Sequence, residues 1–201
     1  MIPAAVFASG SGSNAEAIVE ESHLPCTIEL LVCDKPAAPV ISRAKHWNIE
    51  VFVCDPKTFP NKQAYEQAIL TKLREKQIEW IFLAGYMRLI GPTLLEAYPE
   101  RILNIHPSLL PAFAGKDAIG QALTAGVKVS GVTIHFVDAG MDTGSIIAQE
   151  AVRVLETDTN QTLHQRIQAI EHRLYPETIR YILTERERND SNATSVDQRI
   201  R

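Results

Sequence analysis

The first half of the chain alternates short apolar runs with longer segments whose apolar residues recur at helical spacing. The predicted strands span 4–9, 27–33, 50–54 and 79–84, and helices are predicted from about residue 14, at 40–47 and at 61–77. Parallel strands need a crossover connection, which is usually a helix, so this alternation favours a parallel sheet. The sequence therefore predicts an α/β fold, a mostly parallel twisted sheet with helices on both faces.

The second half of the chain has a different pattern. A predicted strand at 101–105 follows a short helix, and two further predicted strands at 131–138 and 145–152 are separated by a glycine-containing turn at 139–144. Two strands joined by a short turn pair in antiparallel fashion. We therefore expect an antiparallel hairpin in the C-terminal half.

The chain of 201 residues is long enough for one sizeable core, and we predict a single domain over 1–188. Hydrophobic residues make up 45 % and charged residues 22 %, which is typical of a globular protein. The final predicted helix spans 162–185, and Pro176 is expected to kink or split it. The polar segment 189–201 shows no periodicity and is predicted to be a mobile tail.

Charge and cysteine content limit the possible partners. A net charge of −4 provides no basic stripe for nucleic acid, so small-molecule substrates are favoured. The three cysteines (Cys26, Cys33 and Cys54) have neither an even count nor metal-ligand spacing, which is typical of reduced thiols. The apolar segment 2–8 lacks a preceding basic residue, so neither a signal peptide nor a membrane span is predicted. We expect a cytoplasmic protein with no metal.

The turn after the first predicted strand, Gly10-Ser11-Gly12-Ser13-Asn14, is rich in hydrogen-bond donors. Backbone N–H groups in such a turn, with the positive end of a helix behind them, can bind a phosphate group. A tight turn with Asn14 as helix N-cap would explain the same residues without a ligand. Phosphate binding is favoured because two glycines, two serines and an asparagine exceed what a turn requires.

Asn104 and His106 lie two residues apart in a predicted strand and therefore point to the same side of the sheet. Pro107 ends this strand, and Asp142 lies at the predicted hairpin turn. A carboxamide and a protonated imidazole can stabilise the oxyanion of an acyl transfer, and a nearby carboxylate favours the charged imidazolium. A buried His and Asn that bond only to backbone groups would explain the local pattern equally well.

No serine or cysteine lies in a recognisable nucleophile elbow, so the attacking group is predicted to belong to a substrate or to water. The loop at 85–92 also follows a predicted strand. Ligands of open α/β sheets bind outside the carboxyl ends of the strands. The first turn, the loop at 85–92 and the His106 segment are therefore expected to share one crevice.

Five segments of the chain, in the same order, resemble the phosphoribosylglycinamide formyltransferase family. They are ASGSGSN (8–14), LAGYMRLI (83–90), NIHPSLLPAFAGKDA (104–118), GVTIHFVDAGMDTG (131–144) and IEHRLYP (170–176). The resemblance extends to about residue 181. It implies a Rossmann-like formyltransferase fold and transfer of the formyl group of 10-formyltetrahydrofolate, the co-substrate, to the amine of 5-phosphoribosylglycinamide in de novo purine biosynthesis. The amine would attack directly through a tetrahedral intermediate, without a metal.

The resemblance also implies residue roles. Asn104 and His106 would hold the oxyanion, with His106 as general acid, and Asp142 would keep His106 charged and order a water that relays the proton. The residues implied to bind phosphoribosylglycinamide are Gly12, Ser13, Asn14 and Glu171. Those implied to bind the folate are Lys62, Met87, Arg88, Leu89, Ile90 and Asn104.

Two positions depart from the family pattern. Lys62 stands where many members have arginine, and it keeps the charge but loses the bidentate geometry for a carboxylate. Lys116 and Asp117 occupy a loop in which some members have histidines. Arg88 is expected to be partly structural, and His135 is equally compatible with a role in the site and with a structural hydrogen bond.

Three alternative functions remain open. A hydrolase would release formate from 10-formyltetrahydrofolate with the same three residues. A nicotinamide-dependent oxidoreductase would use the G-x-G-x-x-A pattern at 10–15 with Asp34 as the ribose-binding acid. A non-catalytic folate-binding protein is the third possibility, although it would not need the catalytic residues. The predicted partners are small molecules, without nucleic acid or membrane, and the predicted assembly is a monomer or homodimer.

Overall fold

The computed structural model describes the backbone of residues 1–197 and the side chains of residues 1–186. The elements are β1 (Ile2–Ala8), α1 (Ser13–Val19), β2 (Cys26–Cys33), α2 (Val40–His46), β3 (Glu50–Val53), a 3₁₀ turn (Pro56–Thr58), α3 (Lys62–Glu75), β4 (Trp80–Leu83), α4 (Pro92–Ala97), β5 (Ile102–His106), α5 (Ala118–Ala125), β6 (Val129–Phe136), β7 (Ile146–Arg153) and α6 (Asn160–Asp197). The predicted strands and helices are therefore present, with ends shifted by a few residues except in α6, which continues to Asp197 instead of ending at residue 185.

The strands form one sheet in the order β3-β2-β1-β4-β5-β6-β7. The pairs from β3 to β5 are parallel, whereas β5–β6 and β6–β7 are antiparallel. The predicted parallel sheet with a C-terminal antiparallel hairpin is confirmed. The structure adds the antiparallel pairing of β5 with β6, which aligns Asn104 with His135.

The strand order reverses between β1 and β4, because β2 follows β1 on one side and β4 lies on the other. A reversal of this kind opens a crevice at the carboxyl ends of the two strands, where ligands of α/β sheets bind. The glycine turn after β1 and the loop after β4 (residues 85–91, the β4 loop) both start at this point.

Both faces of the sheet are covered, as predicted. Ala4, Val6 and Ala8 of β1 face a core that includes Tyr175 of α6, whereas Ala5 and Phe7 face the core on the α3 side. This explains why β1 is an uninterrupted apolar run: a parallel strand buried on both faces has no solvent-exposed side.

Helix α6 continues through Pro176 as one helix, so the split considered from the sequence does not occur. The side chain of Tyr175 is fully buried. Its hydroxyl lies 3.1 Å from the carbonyl oxygen of Leu83 and 3.0 Å from that of Leu103, and so links α6 to β4 and β5.

The predicted tail at 189–201 begins inside α6, which extends to Asp197. Residues 198–201 lie outside the described residues, so the mobility of the tail stays a prediction. Within the described chain, no helix combines the length and apolar character needed to cross a membrane.

Candidate active site

A cavity of about 260 Å³ opens at the carboxyl ends of β4 and β5. Asn104, His106 and Asp142, which are far apart in sequence, all line it. The predicted folate-binding residues of the β4 loop also line the cavity: Met87, Arg88, Leu89 and Ile90. The fold therefore brings the three predicted catalytic residues and this loop together.

The buried ring of His106 lies between two hydrogen-bond acceptors. Its Nε2 is 2.9 Å from the carbonyl oxygen of Phe113, and its Nδ1 is 3.4 Å from Oδ2 of Asp142. Neither a carbonyl oxygen nor a carboxylate can donate a proton, so each ring nitrogen of His106 faces an acceptor. Only an N–H on a ring nitrogen can donate a hydrogen bond to the acceptor that it faces.

Asp142 connects two loops of the site. Its Oδ2 accepts a hydrogen bond from the backbone N–H of Gly115 at 2.8 Å, which ties the hairpin turn to the loop after β5 (residues 107–117, the β5 loop). The backbone of Asp142 is in the left-handed region with φ of 56°, an uncommon conformation for a residue other than glycine. The carboxylate that faces His106 is thus held in place by the backbone of a second loop.

His135 is a site residue whose role the sequence left undecided. Its ring is buried, and its Nδ1 lies 2.7 Å from the carbonyl oxygen of Phe136. Since Nδ1 must donate to that carbonyl, Nε2 is the acceptor for Nδ2 of Asn104 at 3.1 Å. Burial lowers the pKa of His135, which favours this neutral ring.

His135 therefore orients the carboxamide of Asn104, and its Nε2 also lies 3.7 Å from Oδ1 of Asp142. This bond uses one of the two N–H groups of the Asn104 amide. His135 is identified by its position opposite Asn104 in the β5–β6 pair. No local sequence pattern shows which residues of two strands are paired.

A second polar cluster lies where α1 packs against α6. Asn14 Nδ2 donates to Glu171 Oε2 at 3.1 Å, and Gln168 Nε2 donates to Ser13 Oγ at 2.8 Å. Three of the predicted phosphoribosylglycinamide residues are thus adjacent, and Gln168 is a member that the sequence analysis missed. Gln168 lies three residues before Glu171, so both project from one side of the helix.

Glu171 is buried, and burial raises its pKa, partly offset by the hydrogen bond from Asn14. The cluster does not line the cavity described above.

Gly12, not Asn14, is the N-cap of α1, so the alternative of an Asn14 N-cap is wrong. Gly12 has φ of 82°, and a Cβ placed there would lie 2.4 Å from Cγ2 of Val40. Both its conformation and the close approach of α2 therefore require glycine. A Cβ at Gly10 would meet no atom within 4 Å, so packing does not explain that glycine.

The β4 loop is attached to the end of β1. The backbone N–H of Met87 donates to Oγ of Ser9 at 2.9 Å, and the guanidinium of Arg88 lies 5.5 Å from the centre of the Tyr65 ring. The cation–π contact of Arg88 agrees with its expected structural role. Met87 is 66 % and Leu89 is 53 % exposed. Exposed apolar side chains beside a cavity are typical of a binding surface.

The remaining predicted residues lie around the cavity in different ways. Lys62 does not line it, and its Nζ is 3.8 Å from Oε1 of Glu66. Lys116 and Asp117 do line it, and Asp117 caps α5 by accepting from the N–H of Gly120 at 3.2 Å. In the described part of the chain, no group of three or more His, Cys, Asp or Glu side chains is arranged to hold a metal ion.

Comparisons with known proteins agree with this arrangement. The formyl transferase family model matches residues 3–179. The chain is 58 % identical over 182 residues to phosphoribosylglycinamide formyltransferase of Bacillus subtilis strain 168, covering 89 % of this chain and 93 % of that protein.

Solved structures of phosphoribosylglycinamide formyltransferases are also similar to this chain. The structure of phosphoribosylglycinamide formyltransferase from Bacillus halodurans matches with a TM-score of 0.88 and 60 % identity, over 90 % of this chain and 95 % of that one. Glycinamide ribonucleotide transformylase 1 from Geobacillus kaustophilus matches with a TM-score of 0.88 and 56 % identity, over 91 % and 99 % of the two chains.

Proposed function

The chain belongs to the formyl transferase family, and we propose that it is a phosphoribosylglycinamide formyltransferase of de novo purine biosynthesis. It transfers the formyl group of 10-formyltetrahydrofolate to the amine of 5-phosphoribosylglycinamide. The observation that carries this proposal is the meeting of Asn104, His106 and Asp142 at one cavity beside an apolar loop.

Asn104 and His106 stabilise the oxyanion that forms when the amine attacks the formyl carbon. The Asn104 amide has a second N–H to donate, because its bond to His135 uses only one. The Nε2–H of His106, which faces the carbonyl oxygen of Phe113 in this structure, donates its hydrogen bond to the oxyanion instead, because a charged acceptor forms a stronger hydrogen bond. This stabilisation lowers the barrier to the tetrahedral intermediate.

Asp142 favours the cationic form of His106 and orders a water molecule for proton transfer. The amine loses one proton as the new C–N bond forms, and N10 of the folate gains one as the old C–N bond breaks. With His106 as general acid and the water as relay, no enzyme-bound formyl group is required. The two substrates react directly when they are held together.

The two substrates occupy different parts of the crevice. Gly12, Ser13 and Asn14 bind the phosphate group, and Glu171 contacts the rest of phosphoribosylglycinamide. The buried Oδ1 of Asn14 has no hydrogen-bond partner among the described residues, and as an acceptor it suits an N–H or O–H donor of the same ligand.

The folate binds along the β4 loop. Backbone groups and apolar side chains of Met87, Leu89 and Ile90 contact the pterin, Arg88 contributes to the same surface, and Asn104 contacts the formyl group. The exposed Met87 and Leu89 suit a flat, largely apolar ring system. Lys62 binds the carboxylate tail from outside the cavity.

The proposal includes a single domain over 1–188, small-molecule partners, a monomer or homodimer, and a cytoplasmic location. The location is supported by Cys26, Cys33 and Cys54, which are buried and unpaired.

An assay of 10-formyltetrahydrofolate consumption with and without phosphoribosylglycinamide tests the proposal. We expect rapid deformylation only when the amine is present, with one formylated product per folate released. Formate release at a rate independent of the amine would identify a hydrolase. Folate binding without turnover under either condition would identify a binding protein. His106→Ala is the inactive control, and His46→Ala, an exposed histidine in α2, is the matched control with unchanged activity.

A further inference from the structure

We propose that Glu66 is a positioning residue for the formyl folate, although it does not line the cavity. It holds the end of the β4 loop and the side chain of Lys62 in the arrangement that binds the co-substrate. This inference rests on the proposed function and assigns a role to the buried carboxylate of α3.

The first contact is with the backbone of the loop. Glu66 is 2 % exposed, and its Oε1 accepts a hydrogen bond from the N–H of Gly91 at 2.6 Å. Gly91 follows Ile90, which lines the cavity. The carboxylate therefore fixes the position of the chain directly after the predicted pterin-binding residues.

The packing at Gly91 is tight. A Cβ there would lie 2.7 Å from each carboxylate oxygen of Glu66 and 2.8 Å from Cε of Lys62. The loop backbone thus lies directly against both side chains. A change in either side chain alters the space that the loop occupies.

The second contact is electrostatic. Lys62 precedes Glu66 by one helical turn, and its Nζ is 3.8 Å from Oε1. The other oxygen, Oε2, is buried and has no hydrogen-bond partner among the described residues. Burying a carboxylate with incomplete hydrogen bonding costs free energy, so stability alone does not explain a glutamate at this position. The charge instead keeps the Lys62 ammonium near the loop.

The neighbouring residue on α3 contributes to the same support. Tyr65 carries the cation–π contact with Arg88, and its hydroxyl is hydrogen-bonded to the hydroxyl of Tyr86. Three side chains in the first two turns of α3 therefore contact the β4 loop. Glu66 bonds to the N–H of Gly91, the Tyr65 ring contacts Arg88, and the charged side chain of Lys62 lies against Gly91. Among these contacts, Glu66 is the one whose removal affects both Gly91 and Lys62.

Steady-state kinetics of Glu66→Gln and Glu66→Ala test the proposal, with transfer by the wild-type protein established first. We expect KM for 10-formyltetrahydrofolate to rise about threefold in Glu66→Gln, which keeps an acceptor for Gly91, and about tenfold or more in Glu66→Ala. The kcat at saturating folate and KM for phosphoribosylglycinamide should stay within twofold. Titration with folic acid, an unreactive folate, should show the same loss of affinity.

Two further variants separate positioning from general destabilisation. Ile69→Val removes one methyl group from the same buried helix face and should leave both KM values unchanged. Lys62→Met should weaken folate binding, and its combination with Glu66→Gln should have less than the multiplied effect, because both act through one ion pair.

The proposal is overturned if Glu66→Ala is folded and keeps the wild-type KM for the folate, or if both KM values rise equally. It is also overturned if Ile69→Val reproduces the effect, because the cause would then be stability. Absence of transfer by the wild-type protein would contradict the proposed function, and normal folic acid binding by Glu66→Ala would separately contradict the role of Glu66.

Discussion

The two sides of the site are constructed differently. On the amine side, side chains of α1 and α6 bond directly to each other, as in the Asn14–Glu171 and Ser13–Gln168 pairs. On the folate side, the surface consists of loops with exposed apolar side chains such as Met87 and Leu89. The first arrangement suits a small polar ligand of fixed shape, and the second suits a larger ring system held mainly by contact area.

Backbone conformation shows the same contrast. The loops around the cavity carry five residues with positive φ: Gly85, Phe113, Gly115, Asp117 and Asp142. Three of them are not glycine, and residues in this region of φ and ψ are enriched at functional sites. On the amine side, the positive φ lies at Gly12, and glycine adopts this conformation without steric strain.

The largest expected effect belongs to neither side, because the catalytic groups lie between them. His106→Ala should reduce kcat by roughly 10²- to 10⁴-fold, since it removes the general acid and one oxyanion donor. Asp142→Asn should abolish most transfer as well. Both KM values should stay within a few-fold in steady-state assays. Near wild-type turnover of Asp142→Asn at neutral pH would contradict the role given to the carboxylate.

Glu171→Gln tests whether the amine side binds its substrate independently of the folate side. Loss of a charged hydrogen-bonding group should raise KM for phosphoribosylglycinamide by roughly 10- to 100-fold, with KM for the folate unchanged. The matched control is Glu177→Gln, an exposed carboxylate on the same helix. An equal rise in both KM values would show that the two sides are not separate.

The two glycines of the first turn, Gly10 and Gly12, are expected to differ in their effect on the free energy of unfolding. Gly12→Ala should reduce the free energy of unfolding by about 2 kcal/mol or more, because it combines positive φ with a clash against Val40. Gly10→Ala should change it by less than about 0.5 kcal/mol, since its Cβ meets no atom. Urea denaturation measures both, and equal effects would contradict the assigned role of Gly12.

The smallest expected effect is the pH dependence of stability due to Glu171. Burial raises its folded-state pKa above the ordinary value of 4.5, so the folded state binds the proton more tightly than the unfolded state. The associated stability is fully present below about pH 4.5 and is lost as pH rises through the raised pKa. Glu171→Gln should therefore gain stability relative to the wild type as pH rises, measured by denaturation at pH 4.5 and 7.5. If the difference in unfolding free energy between Glu171→Gln and the wild type is the same at both pH values, the effect assigned to burial is wrong.

Local sequence patterns were sufficient for much of the fold. The short apolar helix α5 (Ala118–Ala125) ends at Gly126, which takes the left-handed conformation that glycine commonly adopts after a helix. The uninterrupted apolar run of β1 predicted a strand buried on both faces. The alternation of strand side chains likewise predicted that Asn104 and His106 share one side, and both line the cavity.

Pairings between distant segments were decided only by the tertiary structure. His135 contacts Asn104 through the β5–β6 register, Gln168 contacts Ser13 where α6 packs on α1, and Glu66 of α3 contacts Gly91 at the end of the β4 loop. The sequence determined the elements, since propensity and periodicity act within a few residues. Which side chains meet depends on how whole elements pack, and that information lies in no single segment.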